Sequence, residues 1–268
     1  MKIKPALKPI IDGDILVYRL GFAADAQAKR EAPESWETQD YLSWALHLVD
    51  NQIKAITETA FGEATQYWLF LSGKDNFRKE VATIKEYKGN RKDAKKPKYY
   101  EELREYMTEV WGASIVDGIE ADDAIGQLQF SHNDKSTVIC SIDKDLNMIP
   151  GYHFNFVKGE FYDVKLAEAN LTFLRQMLTG DSTDNIPGIR GIGPKTVDKL
   201  IPKGCEETKA IETINSCYKK QYGEGWEAAA EEVAKLLWIR RIDQTDCPYI
   251  QNFKAEVMNG QVSLEEST

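Results

Sequence analysis

Short apolar runs alternate with helically spaced apolar positions along the first part of the chain. The apolar runs predict a strand in "KPIIDGDILVYR" that ends at Asp12-Gly13-Asp14, and further strands at residues 66–72, 113–118 and 136–142. Between these runs, apolar residues recur at helical spacing over 38–61, 99–111 and 120–130. Because strands that alternate with helices form βαβ units, the pattern predicts an α/β fold with a mainly parallel central sheet flanked by helices.

The pattern changes after about Val164, where helical spacing alone remains. It runs through "KLAEANLTFLRQMLTG", "PKTVDKLI", "EETKAIETINSCYKKQY" and "WEAAAEEVAKLLWIRRI". The chain therefore divides into an α/β core, 1–165, and a helical region, 166–268. The tail from about Asn252 is polar, and we expect it to be loosely held.

Composition changes this picture in only a few ways. The chain has 268 residues, 42% hydrophobic and 29% charged, which is typical of a folded soluble protein. Its net charge of −9 means that a nucleic-acid-binding surface must come from local placement of cations.

Four cysteines without a CxxC pair and three histidines without an HExxH motif exclude common zinc signatures. The N-terminus lacks the apolar stretch of a signal peptide, and no apolar run is long enough to span a membrane.

Acidic residues follow the predicted strands at the points where the strands end. Two more acids open the glycine-rich segment of the helical region. Because the carboxyl ends of parallel strands meet at one edge of a sheet, we expect the acids to converge there. They are Asp12, Asp14, Glu120, Asp122, Asp123, Asp143, Asp145, Asp181 and Asp184.

Such a carboxylate cluster predicts a divalent metal site. Clustered carboxylates repel one another unless cations lie among them, and Mg²⁺ or Mn²⁺ prefers oxygen ligands. Two ions about 4 Å apart activate water and stabilise the leaving oxygen in phosphodiester cleavage. Each motif alone also has an ordinary structural explanation, as a turn or as the acidic start of a helix. Recurrence after successive strands favours the metal site.

A basic stretch contrasts with the acidic composition of the chain. Seven lysines and arginines lie between Lys85 and Lys98, against only Glu86 and Asp93. A solvated loop is the common structure of such a run. Three tyrosines interleave the cations, however, and stacking combined with phosphate-pairing cations is how proteins hold single strands. The predicted nucleic-acid contacts are Lys85, Lys92, Lys95 and Lys96.

The segment "GIRGIGPKTVDKL" resembles a helix–hairpin–helix element. Its glycines let the backbone approach a phosphate closely, and Pro194 suits the first position of a helix. Backbone N–H groups at that helix start would contact DNA phosphates without reading bases. The predicted contacts are Gly191, Gly193, Lys195 and Thr196.

Taken together, these blocks resemble the 5′-nuclease superfamily, which includes flap endonucleases, phage 5′–3′ exonucleases and the 5′-nuclease domain of bacterial DNA polymerase I. The matching blocks follow the family's order over about 10–201: "IIDGDILVYR", "NFRKEVATIKEYKGNR", "GIEADDAIG", "SIDKDL" and "TGDSTDNIPGIRGIGPKTVDKLI". The resemblance implies a sheet core, a helical arch over the active site at about 84–111, and a C-terminal helix–three-turn–helix DNA-binding element at about 180–201.

The resemblance also implies residue roles. The first metal position would be lined by Asp12, Glu120, Asp122 and Asp123. The second would be lined or supported by Asp143, Asp145, Asp181 and Asp184. The arch would begin at Tyr87, Lys88 and Arg91, and the two cations would steer and polarise the scissile phosphate. The family also binds a monovalent cation, typically K⁺, in its hairpin element.

One position departs from the family pattern. Relatives usually carry an Asp after the second strand, where this chain has Ser72. Since a neutral hydroxyl is a weaker metal ligand than a carboxylate, the first metal site is expected to have altered affinity. Asp14 is the first candidate to compensate, and Asp75 is the second.

We therefore expect a Mg²⁺-dependent 5′–3′ exonuclease or flap endonuclease that acts on 5′ ends, flaps or nicks of DNA in replication or repair. RNA primers and RNA–DNA hybrids are further candidate substrates. The resemblance suggests a stand-alone, monomeric, cytoplasmic enzyme of a bacterium or phage-infected cell, with no membrane partner.

Three alternatives remain open. A non-catalytic binder of branched DNA is motivated by Ser72. A second alternative is a ribonuclease of the related PIN-like type. The hairpin element after Asp184 argues against it, because such an element contacts duplex backbone. A plain α/β protein with acid-capped helices explains neither the basic stretch nor the hairpin.

Overall fold

The computed structural model describes residues 7–31, 37–59, 66–132, 135–242, 247 and 249–250. The chain forms two compact units. The first comprises Met1–Asn76 and Ala94–Val164, and the second comprises Phe77–Asp93 and Lys165–Thr268. The polar tail from about Asn252 and the last two positions of the helix predicted over 38–61 lie outside the described residues.

The first unit is built on a six-stranded sheet. Its strands are β1 (Lys8–Asp12), β2 (Trp68–Asn76), β3 (Ser114–Gly118), β4 (Thr137–Cys140), β5 (Gly151–Asn155) and β6 (Glu160–Val164). They lie in the order β3-β2-β1-β4-β5-β6, and all neighbours are parallel except β5 and β6. The predicted mainly parallel sheet is confirmed. The β5–β6 hairpin was not predicted, because β6 is mostly exposed and lacks an apolar run.

Helices cover this sheet and form the second unit. In chain order they are α1 (Gly13–Glu31), α2 (Thr38–Lys54), α3 (Arg78–Val81), α4 (Tyr100–Glu109), α5 (Ala121–Ser131), α6 (Leu166–Thr179), α7 (Pro194–Leu200), α8 (Glu207–Tyr222) and α9 (Trp226–Leu237). A π-helical turn, Ala55–Thr59, continues α2. The helices predicted from periodicity are therefore present within a few residues of their expected bounds.

Helix α1 was missed because no connecting residue separates it from β1. Gly13 makes this junction possible: a Cβ there would lie 2.5 Å from the carbonyl oxygen of Phe70 in β2. The helix therefore begins in contact with the neighbouring strand. Its residues Leu16, Val17 and Leu20 are buried in the core between the sheet, α2 and α4.

The second unit is a helical cluster. Its core contains Phe173, Met177, Ile214, Tyr218 and Val233 from α6, α8 and α9. The Tyr218 hydroxyl donates to the carbonyl oxygen of Met177 at 2.8 Å, which ties α8 to α6. Residues 77–93 belong to this unit, although their position in the sequence placed them with the α/β core.

The helical arch expected over about 84–111 is only partly helical. The structure forms α4 and one 3-10 turn at Gly89–Arg91, and residues 92–99 carry no regular helix. Repulsion among the lysines and the ring of Pro97 disfavour a continuous helix there.

Buried Arg78 is expected to be a main stabiliser of the second unit. Its side chain is 3% exposed and donates to the carbonyl oxygens of Leu236 at 2.9 Å and Trp238 at 2.7 Å. These carbonyls lie at the end of α9, where a helix leaves acceptors unsatisfied. Replacing Arg78 with Ala should lower the free energy of unfolding by about 2–4 kcal/mol in urea titrations.

Two further variants test this assignment. Arg78→Lys should recover less than half of the loss, because an ammonium cannot span both carbonyls as a guanidinium does. The exposed neighbour Lys79 provides the control, and its replacement by Ala should change stability by less than about 0.5 kcal/mol. Equal effects of Arg78→Ala and Lys79→Ala would contradict the assignment.

Candidate active site

The sheet reverses its strand order between β1 and β4. From β1 the chain builds outward through β2 and β3 on one side and through β4 and β5 on the other. In open parallel sheets, ligand sites form outside the carboxyl ends of the strands at such a switch point. Asp12 ends β1, and Ser141 directly follows β4. The first acids of the predicted site therefore lie where this topology favours one.

A chain of hydrogen bonds orders these residues. The Asp12 carboxylate is 2% exposed and accepts from the Ile15 N–H at 3.1 Å and from the Ser141 hydroxyl at 2.7 Å. Ser141 Oγ accepts from the Asp143 N–H at 2.9 Å, and Asp143 Oδ1 accepts from the Asp145 N–H at 2.8 Å. Ser141 was missed from sequence, where its only signal is a hydroxyl between a buried strand and the acids.

Burial and mutual repulsion disfavour ionisation of these acids. Burial raises the pKa of Asp12 to about 7, the Ser141 hydrogen bond opposes this, and the charges of Asp14 and Asp143 add to it. Burial also raises the pKa of half-buried Asp122 well above its ordinary value, and the charges of Asp12 and Asp143 contribute. Asp12, Asp122 and Asp143 are therefore close enough to repel one another.

The other two acids of "EADD" cap α5. The Glu120 N–H donates to Asp123 Oδ2 at 3.1 Å, and the Glu120 side chain accepts from the N–H of Asp123. Asp123 is fully buried in this arrangement. The helix-cap explanation thus applies to Glu120 and Asp123, and their role as metal ligands stays a prediction.

The Ser72 hydroxyl is engaged by the backbone at the start of α5. Its Oγ accepts from the N–H of Ala121 at 2.9 Å and so caps the start of α5. Its own N–H donates to the Asp14 carboxylate at 3.1 Å. Arg104 completes the group, because it donates to Asp14 Oδ1 at 3.1 Å and to the Ser72 carbonyl oxygen at 2.6 Å.

The two candidates for compensation differ in their surroundings. Asp14 lies beside the site with its charge paired to Arg104, while Asp75 is exposed farther along β2. Asp14 stays the first candidate, and its role as a metal ligand stays a prediction. Arg104 was missed because a single arginine on a helix carries no sequence signal, and only the packing of α4 brings it to Asp14.

In the second unit, Asp184 gathers the residues predicted to be catalytic. Its carboxylate accepts from the Tyr87 hydroxyl at 2.8 Å and from the Arg91 guanidinium, and the Lys88 ammonium lies 3.8 Å away. The Lys88 N–H also donates to the Asp184 carbonyl oxygen at 2.9 Å. Lys88 has a left-handed backbone, with φ of 55°, which these contacts hold in place.

The glycine-rich segment is a closed turn followed by a helix. Asp181 and Ile186 exchange backbone hydrogen bonds of 3.0 and 2.8 Å, and the Asp181 carboxylate accepts from the Thr183 N–H at 2.7 Å. A Cβ on Gly180 would lie 2.4 Å from the Gly188 nitrogen, so both ends of the turn require glycine.

The predicted DNA contacts divide between the units. Most of these contacts are exposed: Gly191, Lys195, Lys85, Lys92, Lys95 and Lys96. Two are partly buried at the start of α7, namely Gly193 and Thr196. Lys95 and Lys96 belong to the first unit, and the others belong to the second. Their contact with DNA stays a prediction.

The donor set fits a hard divalent cation. Every candidate ligand supplies carboxylate oxygen, and a cation would offset the repulsion that raises the pKa values of Asp12 and Asp122. Within the described ranges, no group of three or more Asp, Glu, His or Cys side chains is arranged to hold a metal ion. Since Mg²⁺ keeps several waters as ligands, a loose carboxylate set suits it. Seven of the nine acids belong to the first unit, and Asp181 and Asp184 belong to the second.

Comparison with known proteins decides the family. Residues 8–171 match the family model described as the 5′-3′ exonuclease N-terminal resolvase-like domain. The chain belongs to the 5′–3′ exonuclease family. The predicted family and the predicted class of enzyme, a 5′-nuclease, are confirmed at this level.

Relatives of this 5′–3′ exonuclease family member match different shares of their own length. A 5′-3′ exonuclease of Buchnera aphidicola subsp. Schizaphis graminum is 29% identical over 75% of this chain and 71% of its own length. DNA polymerase I of Bacillus subtilis is 27% identical over 89% of this chain but only 28% of the polymerase. A flap endonuclease Xni of Shewanella sp. (strain W3-18-1) is 30% identical over 63% of this chain and 69% of its own length.

Solved structures support the fold. The zinc-bound 5′-exonuclease of T5 superposes with a TM-score of 0.55 at 19% identity, covering 86% of this chain and 89% of that one. A T5 flap endonuclease in a complex with DNA and metal ions gives 0.56 at 17% identity, covering 85% and 88%. No helix in the described part of the exonuclease-family chain has the length and apolar character needed to cross a membrane.

Proposed function

We propose that this 5′–3′ exonuclease family member hydrolyses phosphodiester bonds at the 5′ ends of DNA, including flaps and nicks. The observation that carries the proposal is the hydrogen-bonded group of buried Asp12, buried Ser141 and half-buried Asp143 beside Asp122, at the switch point of the sheet. Mg²⁺, with Mn²⁺ as a substitute, is the proposed cofactor, at two positions.

The acids of the first unit hold the proposed cations most directly. Asp12, Asp122 and Asp143 lie close together, and Asp145 is ordered by Asp143. Bound cations would supply an activated water and stabilise charge on the leaving oxygen. Asp181 and Asp184 are proposed as further ligands, and Asp184 would then share its carboxylate with Tyr87 and Arg91.

The group of Ser72, Asp14 and Arg104 modifies this proposal. Asp14 brings a carboxylate to the place where Ser72 offers none, but Arg104 already offsets its charge. We therefore propose that the first metal position binds its cation more weakly than a site with an unpaired carboxylate would. The same observation motivates the second candidate function, a branched-DNA binder without chemistry.

The proposed substrate is DNA with a 5′ flap or nick. The relatives named flap endonuclease and the T5 complex with DNA support this choice. Lys88 and Arg91 would polarise the scissile phosphate, and the segment at 191–196 would contact duplex phosphates. A K⁺ ion in that segment, action on RNA–DNA hybrids and a monomeric state belong to the same proposal.

The deciding experiment uses a 5′-flap duplex and a nicked duplex, each labelled at either end, with Mg²⁺ or with EDTA. We expect Mg²⁺-dependent release of short 5′ products from both. Tight binding without cleavage, in Mg²⁺ and in Mn²⁺, would favour the branched-DNA binder. Ser72→Asp would then be the first variant to test for restored cleavage.

A further inference from the structure

A cavity of about 500 Å³ lies in the first unit, beyond the acids and apart from every residue discussed as a metal ligand. It is bounded by the second half of α1, the start of α2 and the segment that precedes α4. Its volume falls within the range of about 300–1,000 Å³ that is usual for small-ligand sites.

Three lysines make this cavity locally basic on an acidic protein. Lys29 comes from the last turn of α1, and Lys96 and Lys98 come from the segment before α4. Among the described residues that line the cavity, the one acid, Asp25, accepts the backbone N–H of Lys98 at 3.0 Å. Because the lysines outnumber that acid, the cavity is suited to an anionic group such as a phosphate.

Two tyrosines give the cavity an aromatic wall. The Lys98 ammonium lies 4.7 Å from the ring centre of Tyr99 and 5.3 Å from that of Tyr41. A hydrogen bond to the Tyr99 hydroxyl raises the pKa of Lys98, so the ammonium stays charged. Aromatic faces beside phosphate-pairing cations are the combination that holds single nucleotides of a strand.

The walls are fixed rather than loosely apposed. Pro97 packs so closely on α1 that a Cβ on Gly21 would lie 2.5 Å from the Pro97 Cβ. Ala24 and Ala28 line the cavity with small side chains, which leave room at its base. The Asp25 contact holds the same segment one turn farther along α1.

Cations and aromatic rings connect this cavity to the acids. The Arg104 guanidinium, which pairs with Asp14, lies 5.6 Å from the ring centre of Tyr100. The Lys96 ammonium lies 3.9 Å from the same ring and also lines the cavity. The path follows α1 from Asp14 to Lys29, a length of about 22 Å. A stacked strand covers that length in about six nucleotides.

We propose that the cavity lined by Lys29, Tyr41, Lys96, Lys98 and Tyr99 binds one nucleoside monophosphate unit. The first candidate source is the single-stranded 5′ tail of the substrate, several nucleotides from the acids. The second candidate source is a released mononucleotide with the same chemistry. The choice of nucleic acid as ligand rests on the proposed nuclease function.

The test measures binding to duplexes with 5′ tails of about 0, 3, 6, 9 and 12 nucleotides, in Ca²⁺ to prevent cleavage. The affinity of the wild type for the duplex should rise as the tail is lengthened from about 3 to 9 nucleotides, because the tail then reaches the cavity. Lys29→Glu and Tyr41→Ala should each remove most of that rise, by about tenfold in Kd, and leave the untailed duplex unaffected. Arg30→Glu reverses a charge in the same helical turn outside the cavity, so it should retain the rise.

A second arm titrates 5′-dAMP into the wild type and the two cavity variants by calorimetry. Binding that both variants lose, without any dependence on tail length, would assign the cavity to a released mononucleotide. The proposal would be overturned if affinity rose equally with tail length in the wild type and the variants and if none of them bound 5′-dAMP. This holds even for an enzyme that cleaves normally. A wild type that neither cuts nor binds tailed duplex would instead refute the nuclease function. Lys29 is exposed and Tyr41 is half-buried, so both variants are expected to fold, and thermal melts provide the check.

Discussion

Asp122→Asn is expected to reduce cleavage by at least about 1,000-fold, a loss of about 4 kcal/mol of transition-state stabilisation. The same change should raise the melting temperature of the metal-free protein. Both effects have one cause, because the Asp122 carboxylate lies against the charges of Asp12 and Asp143. Without a cation this placement destabilises the fold, and with a cation it supplies a ligand.

The pH dependence of this stabilisation gives a further check. The pKa of the Asp122 carboxyl is 3.8 in its ordinary state and is raised on folding. Above pH 3.8 the unfolded chain therefore ionises more readily than the folded one, and the free energy of unfolding falls as the pH rises. The gain in melting temperature, measured in EDTA, should therefore grow as the pH rises above 3.8 and should vanish below it. Cleavage is measured on the 5′-flap duplex with Mg²⁺.

Asp163→Asn provides the matched control in the same unit. Asp163 pairs with Lys135 at 3.0 Å near the surface, so its loss should change both cleavage and melting only slightly. A lower melting temperature for Asp122→Asn, or near-normal cleavage by it, would show that this carboxylate is a structural group.

Lys88→Ala is expected to slow cleavage by about 10²–10³-fold while duplex binding in Ca²⁺ changes by less than about threefold. Its ammonium lies beside Asp184 together with Tyr87 and Arg91, on a backbone held in the left-handed conformation. A cation placed beside the site stabilises mainly the transition state, where charge develops on the phosphate. Single-turnover rates and binding isotherms separate the two quantities.

Lys92→Ala is the control in the same basic segment. Lys92 pairs with Glu86 at 2.8 Å on the surface, and we expect its loss to weaken binding modestly without a separate effect on the single-turnover rate. If Lys88→Ala weakened binding as much as it slowed cleavage, Lys88 would be a steering residue only.

The exonuclease-family fold was largely predictable from local pattern. Buried parallel strands read as apolar runs, and amphipathic helices show their own period, so β1 to β4 and most helices could be placed. The misses have physical reasons. Helix α1 follows β1 without a break at Gly13, and β6 is an exposed edge strand with no apolar run.

The residue types of the site were predictable, but their partners were not. Recurrence of acids after successive strands indicated Asp12, Asp122 and Asp143, which the structure brings together. Ser141 and Arg104 join this site through hydrogen bonds to acids 129 and 90 residues away in the chain. Such pairings depend on strand order and helix packing, which no short-range pattern encodes.

The sequence alone determined the fold class, the family and the chemical class of the site. Periodicity is a property of neighbouring residues, and the order of motifs can be read along the chain without knowing how it packs. The tertiary structure alone decided which acids repel one another at the sheet edge and which cap a helix. It also placed Arg104 on Asp14, turned Ser72 towards α5, and enclosed a basic aromatic cavity between α1 and Lys98. These features arise from contacts between distant segments, whose geometry is set only when the sheet and helices pack.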